Sequence, residues 1–147
     1  ESVELKKDSI KNDNSNLYYR RYSEYLLKTK SYTMVSKRKQ GIVLKLMKMA
    51  YNRDEVYIVM EIKNSSGIDL RVDYLNVYAI NGNKKVRASF QRIEQEVIFK
   101  YKVPDVVTDK QSHRFVYVLP KFVLGDNEKL YVELQELKGN RKISFSY

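Results

Sequence analysis

The pattern of hydrophobic and polar positions divides the chain into a polar start, one helical stretch and a long series of strands. Residues 1–16 are too polar to bury enough apolar surface to offset backbone ordering, which predicts an arm or linker. Between residues 17 and 30, tyrosine and leucine recur at i, i+4, i+7 and i+8, the spacing of one helical face. We expect a short amphipathic helix there, packed either on its own domain or on a partner.

From residue 41 onward, apolar and polar positions alternate in short runs that are separated by turns. Runs at 42–51 and 56–63 flank a polar turn and predict a hairpin. In the first run the alternation changes phase after Leu46, which predicts a β-bulge. The strongest hairpin signal, Asn81-Gly82, follows a strand predicted at 68–80. Later strands are expected at 86–90, 97–101, 114–119, 130–137 and 143–147.

Short strands at this spacing, without helices between them, predict an all-β fold. The pattern is typical of an immunoglobulin-like antiparallel β-sandwich rather than an α/β sheet. We therefore predict two parts: a polar arm over residues 1–40 that carries the helix at about 17–30, and a β-sandwich domain over 41–147. Because the sequence opens on Glu1 rather than Met, we expect a processed or partial chain.

The chain is basic, with 28 Lys and Arg against 18 Asp and Glu, a formal net charge of +10. The excess is densest in residues 1–40. A basic cluster can meet phosphates or an acidic partner, although solvated surface residues give the same composition. The candidate residues for binding nucleic acid or an acidic partner are Lys37, Arg38, Lys39, Lys84, Lys85 and Arg87.

Few residues offer catalytic or metal-binding chemistry. The chain has no Cys and a single His, His113, which excludes disulfides, thiolate nucleophiles and cysteine metal sites. Glu94 and Glu96 would share one face of a strand, where paired carboxylates can serve acid–base chemistry, but neighbouring basic residues favour a solvated surface. We expect no enzyme, no catalytic or metal-binding residues and no cofactor.

Tyrosine is abundant, with 13 Tyr and no Trp. Tyrosine gives rigid amphipathic contact area at interfaces, and it is also a good strand former, so both interpretations stay open. No window approaches the roughly 18 uninterrupted apolar residues of a membrane-spanning helix. The sequence therefore predicts no transmembrane segment in this chain.

Four passages, in order and spacing, resemble the C-terminal domain of the TraN proteins of Bacteroidetes conjugative transposons. They are the strand and Asn-x-Ser-x-Ile-Asp turn at 56–69, the basic hairpin at Lys84-Lys85, the Leu-Pro-Lys-Phe stretch at 119–122 and Gly139-Asn140-Arg141. The resemblance extends over about residues 36–147.

The resemblance implies a non-catalytic structural and protein–protein interaction module of a conjugative, type IV secretion-like DNA-transfer apparatus. It implies a location in the periplasm or at the outer membrane, and partners among the other subunits of the mating apparatus. By analogy with the ninth VirB subunit, one such partner is a small lipoprotein. The alternatives are a basic nucleic-acid-binding β-module, in which DNA contacts the cations named above, and a carbohydrate-binding β-sandwich.

Overall fold

The computed structural model describes residues 2–81 and 91–147. Within them the chain forms one helix, α1 (Ser2–Lys28), followed by strands. The strands are β1 (Val35–Lys39), β2 (Ile42–Asn52), β3 (Glu55–Asn64), β4 (Leu70–Asn81), β5 (Gln91–Glu94), β6 (Phe99–Tyr101), β7 (Val106–Val107), β8 (Ser112–Pro120), β9 (Glu128–Glu136) and β10 (Lys142–Ser146).

The strands form two antiparallel sheets that pack face to face. The first sheet has the order β1-β2-β3-β8-β6, and the second has the order β10-β9-β4-β5, with β7 paired to the start of β4. Alternate apolar side chains of both sheets meet in one core, since strand residues point to opposite faces in turn. The predicted all-β antiparallel sandwich preceded by a helix is confirmed.

The β-bulge predicted after Leu46 is confirmed by a register shift between Leu46 and Lys48 in the pairing of β2 with β3. Leu46 is buried between the sheets, and beyond the shift Met49 returns to that core. The extra residue places Lys48 on the opposite face, where its ammonium donates a 3.1 Å hydrogen bond to Thr29 Oγ1 just after α1. The bulge thus keeps a lysine out of the core.

α1 packs on the outer face of the first sheet and forms a second apolar cluster there. Leu26 of the helix is buried against the outward residues of β3, Tyr57 and Val59, while Ile58 between them points into the sandwich core. β3 is therefore covered on both faces along this stretch. The sequence left open whether this helix packs on its own domain or on a partner, and in the structure it packs on its own domain.

The helix is longer than the sequence predicted, because it begins at Ser2 instead of about residue 17. Residues 2–16 of the predicted polar arm or linker therefore belong to this helix. A polar segment is not expected to be buried, but it can still form a helix. Once one end of a helix is formed and anchored, each further residue is added at little cost in free energy. Its C-terminal end, at Lys28, lies close to the predicted end at about residue 30.

β1 lies inside the segment predicted as an arm. Its hairpin with β2 turns through Gln40 and Gly41, whose φ angles of 51° and 78° match a two-residue turn with both central residues left-handed. β1 has one apolar residue, Val35, because an edge strand buries little of its surface. The predicted Asn81-Gly82 turn and the strand at 86–90 reach outside the described residues.

Candidate interaction surface

The outer face of the second sheet carries aromatic and charged side chains that strand alternation turns away from the core. On β9, Leu130, Val132 and Leu134 are buried in the core, so the residues between them point outward. The same alternation on β4, β5 and β10 brings further side chains to this face. We call this cluster the tyrosine face, and its members are Tyr74, Tyr78, Arg92, Tyr131, Glu133 and Lys142.

Glu133 lies at the centre of the tyrosine face, where only 4% of its side chain is exposed. Its Oε2 accepts a 3.1 Å hydrogen bond from the Tyr74 hydroxyl. Its Oε1 lies 3.0 Å from Lys142 Nζ and 3.7 Å from Arg92 Nη1. Burial by itself raises the pKa of this carboxyl, but the hydrogen bonds and charges of its three partners lower the pKa overall. The carboxylate is therefore ionised at neutral pH.

Arg92 joins the charged and aromatic parts of the tyrosine face. Its guanidinium carbon lies 4.3 Å from the ring centroid of Tyr131 and 4.9 Å from that of Tyr78. The two ring centroids are 5.9 Å apart, with 52° between the ring planes. Asn76 Nδ2 donates a 3.2 Å hydrogen bond to the Tyr78 hydroxyl. Cation–π contacts of this kind hold the guanidinium in place above the sheet.

The cations of the tyrosine face reach solvent and its anion does not. The side chains of Arg92 and Lys142 are 39% and 48% exposed, and both lie against the single buried carboxylate of Glu133. What a partner meets is therefore positive charge beside tyrosine rings. Tyrosine and arginine are the residue types enriched where protein interfaces bind most strongly.

The structure separates the basic residues that the sequence placed together. Lys37, Arg38 and Lys39 are all exposed on edge strand β1. Lys37 and Lys39 are paired with core-facing residues of β2 and so point to the core side of the sheet, whereas Arg38 points to the other side. They do not form one patch. Lys84, Lys85 and Arg87 lie outside the described residues.

Glu94 and Glu96 are both exposed and line one shallow depression. Strand alternation does not place them on one face, because β5 ends at Glu94. Leu75 and Lys100 line the same depression, whose volume is about 470 Å³. His113 belongs to β8 and is half-buried. Among residues 2–81 and 91–147, no group of three or more metal-ligating side chains could hold a metal ion.

A buried polar network links the turn before β4 to the β9–β10 hairpin. Asn64 is buried, and its Nδ2 donates to the carbonyl oxygens of Ile68 at 2.8 Å and Val107 at 2.9 Å. The Arg141 guanidinium donates to the Glu136 carboxylate through Nε at 2.8 Å. It also donates to Ser66 Oγ at 2.9 Å and to the Asp69 carbonyl at 2.7 Å. These contacts give Asn64 and Arg141 structural roles at this end of the sandwich.

The sequence did not identify the tyrosine face as a unit. The alternation of Tyr131, Glu133 and Gln135 along β9 shows that these residues share a side of the strand. The register that brings Tyr74 and Lys142 to the same carboxylate depends on pairings between distant strands, and no local pattern encodes those pairings.

Comparison with known proteins gives one match. A family model described as Domain of unknown function (DUF4138) matches residues 16–147. No curated protein matches the chain significantly, and no solved structure does so either.

In the part of the chain that the structure describes, no helix is both long and apolar enough to cross a membrane.

Proposed function

The chain belongs to the family described as Domain of unknown function (DUF4138), and from that starting point we propose that it is a non-catalytic protein–protein interaction module. We place the module in a conjugative, type IV secretion-like DNA-transfer apparatus of the cell envelope. Its partners there are other subunits of the mating apparatus, among them a small lipoprotein. The resemblance of residues 36–147 to the TraN C-terminal domain supports this setting.

The tyrosine face is the observation that carries the interaction role. α1 covers the outer face of the first sheet, while Arg92 and Lys142 on the outer face of the second sheet reach solvent. Tyr78 and Tyr131 are held in place by Arg92, so a partner would pay little side-chain entropy to contact them. Pre-positioned aromatic and arginine side chains favour docking of a protein surface.

The two ion-paired carboxylates of β9, Glu133 and Glu136, favour a structural role over proton transfer. Glu136 is bonded to Arg141, and this hydrogen bond is the main reason why its pKa is lowered. Glu133 is held between Lys142 and Arg92, and its pKa is lowered as well. A general acid or base works best with a pKa near the working pH, and these two groups are shifted away from it.

Binding to purified envelope subunits of the same mobile element tests the proposal. We expect at least one subunit to bind the full chain, and Tyr78→Ser combined with Tyr131→Ser to weaken that binding at least about tenfold. Tyr25→Ser is the matched control, because Tyr25 is 59% exposed on α1, on the other side of the molecule. Binding of no subunit would overturn the proposed function.

DNA binding is the competing outcome. It would be supported by affinity for DNA that falls steeply with salt and decreases when Lys37 and Lys39, both exposed on β1, are changed to Gln. A flat salt dependence, or no binding at low salt, would exclude it. The two outcomes are distinguished by their variants, since the Tyr78 and Tyr131 changes leave the charge of the chain unaltered.

A further inference from the structure

We propose that the tyrosine face binds an acidic segment of a partner protein, whose carboxylates pair with Arg92 and Lys142. This inference rests on the proposed function as an interaction module and names the chemistry of its partner. Two cations lie against one buried carboxylate there, and both of those cations are partly exposed. An incoming carboxylate would supply the second anion that this arrangement lacks.

The hydrogen-bonding capacity of the cluster points the same way. Glu133 Oε2 accepts a hydrogen bond from the Tyr74 hydroxyl, whereas Oε1 lies 3.0 Å from Lys142 Nζ and 3.7 Å from Arg92 Nη1, the second contact being an ion pair without a hydrogen bond. Lysine carries three donors and arginine carries five, so one shared oxygen uses only a small part of their capacity. The contacts of Arg92 with the tyrosine rings consume no N–H donor. Among the described residues, Glu133 is the only ion-pair partner of these two cations, so other donors on them can make charge-assisted hydrogen bonds to a carboxylate.

The wider charge of this face is also positive where solvent reaches it. Lys129 is exposed and lies on the same side of β9 as Tyr131 and Glu133. Glu94 is exposed at the end of β5, next to Tyr78 in register, and supplies the opposing charge. Among the described side chains named here, three accessible cations, Arg92, Lys129 and Lys142, lie beside one accessible anion, Glu94, because Glu133 is buried. This balance favours an acidic partner.

An acidic peptide fits these observations better than a nucleic acid does. Single-stranded nucleic acids bind proteins by stacking bases on aromatic faces. Here the Arg92 guanidinium already lies against the rings of Tyr78 and Tyr131, so a base would have to displace it. A carboxylate reaches the free donors of Arg92 without disturbing those contacts.

Titration of the full chain with two synthetic peptides tests the proposal. One peptide alternates Glu and Thr, and the other is identical except that Gln replaces every Glu. We expect the Glu peptide to bind at low salt and the Gln peptide to bind at least about tenfold more weakly. Equal binding of the two peptides, or tighter binding of an oligothymidylate to the same face, would overturn the proposal.

Two variants of the tyrosine face are expected to change the affinity for the Glu peptide in opposite directions. Arg92→Gln combined with Lys142→Gln should weaken binding of the Glu peptide at least about tenfold, whereas Arg20→Gln with Lys28→Gln on α1 should leave it unchanged. Glu133→Gln keeps an acceptor for Tyr74 but releases both cations, so it should bind the Glu peptide more tightly. Because a misfolded form of this chain, whose net charge is +10, could also attract an acidic peptide, the urea unfolding of Glu133→Gln is compared with that of the wild type. Weaker binding by the folded Glu133→Gln variant would overturn the proposal.

Comparing the subunit-binding and peptide-binding experiments distinguishes failure of this inference from failure of the proposed function. If apparatus subunits bind the chain but the Glu peptide does not, the interaction module stands and acidic recognition is wrong. If the Glu peptide binds in the expected way and no subunit does, acidic recognition stands and the assignment to the apparatus is wrong.

Discussion

Tyr117 and Leu75 belong to opposite sheets and are joined through the core by a hydrogen bond of 2.9 Å, in which the Tyr117 hydroxyl donates to the Leu75 carbonyl oxygen. β9 pairs with β4 along most of one side, but on the other side β5 covers only residues 78–81 and β7 only residues 70–71. Leu75 lies between these two pairings. A side chain of the first sheet thus satisfies a carbonyl of the second sheet where, among the described residues, no strand is paired on that side.

This relationship predicts the effect of Tyr117→Phe. The substitution removes the donor and leaves the Leu75 carbonyl, on a residue only 5% exposed, without that partner. We expect the free energy of unfolding to fall by about 1–3 kcal/mol, the cost of an unsatisfied buried acceptor. Urea unfolding of the full chain measures the change.

Tyr57→Phe is the matched control. Tyr57 is equally buried, beneath α1, and its hydroxyl has no hydrogen-bond partner among the described residues. Burial raises the pKa of both tyrosines, so each hydroxyl stays neutral at physiological pH. We expect Tyr57→Phe to leave the free energy of unfolding unchanged or higher. Equal losses for the two variants would show that the bond from Tyr117 is not the cause.

Arg141→Ala should be among the most destabilising single changes in the hairpin between β9 and β10. Arg141 is only 8% exposed and is bonded to the Glu136 carboxylate, Ser66 Oγ and the Asp69 carbonyl. Its removal leaves a carboxylate without its partner in a poorly solvated place, which costs about 3–5 kcal/mol. The free energy of unfolding in urea measures this loss.

Arg114→Ala provides the comparison for Arg141. The Arg114 side chain is 50% exposed, and its Nε lies 3.1 Å from Glu61 Oε2. Exposed ion pairs contribute little because solvent screens them, so we expect a loss of less than about 1 kcal/mol. A loss as large as that of Arg141→Ala would contradict the view that the network around Arg141 is what stabilises this end of the sandwich.

Acid should weaken the fold partly through Glu136. Its folded-state pKa is lowered, chiefly by the hydrogen bond from Arg141, below the ordinary value of 4.5. A depressed carboxyl pKa contributes stability that is fully present above the unfolded-state pKa and is lost as pH falls through the folded-state pKa. We expect Glu136→Gln to destabilise the chain at pH 7 and the difference from wild type to shrink below about pH 4. Urea unfolding at several pH values measures it, and a pH-independent difference would contradict this account.

The features that the sequence predicted are those encoded by neighbouring residues. The bulge after Leu46 shows as a local change of alternation, and the two sheets follow from repeated strands and turns. β1 was missed because only Val35 on it is apolar, and an edge strand needs no more. The cluster around Glu133 was missed because its partners come from β4, β5 and β10. Contacts of this kind depend on sheet order, which local periodicity does not specify.

Leu26→Ala should loosen the attachment of α1 to the first sheet. Leu26 is 3% exposed and, among the side chains of α1 that the structure describes, is the most deeply buried apolar one in the cluster with Tyr57 and Val59. Truncation of a buried leucine to alanine costs about 2–5 kcal/mol. Here we expect that cost to reduce the free energy that holds α1 on the sheet. We expect faster trypsin cleavage near Lys28, because cleavage there needs the end of α1 to leave its docked position.

Tyr25→Ala is the control for this change, since Tyr25 is the neighbouring residue and is 59% exposed. It also substitutes a large side chain of α1 by alanine, and it should leave the cleavage rate close to that of the wild type. Helix propensity favours alanine in both variants, so a difference between them reports on packing against the sheet and not on the intrinsic stability of the helix. Equal cleavage rates for Leu26→Ala and the wild type would show that burial of Leu26 does not hold α1 on the sandwich.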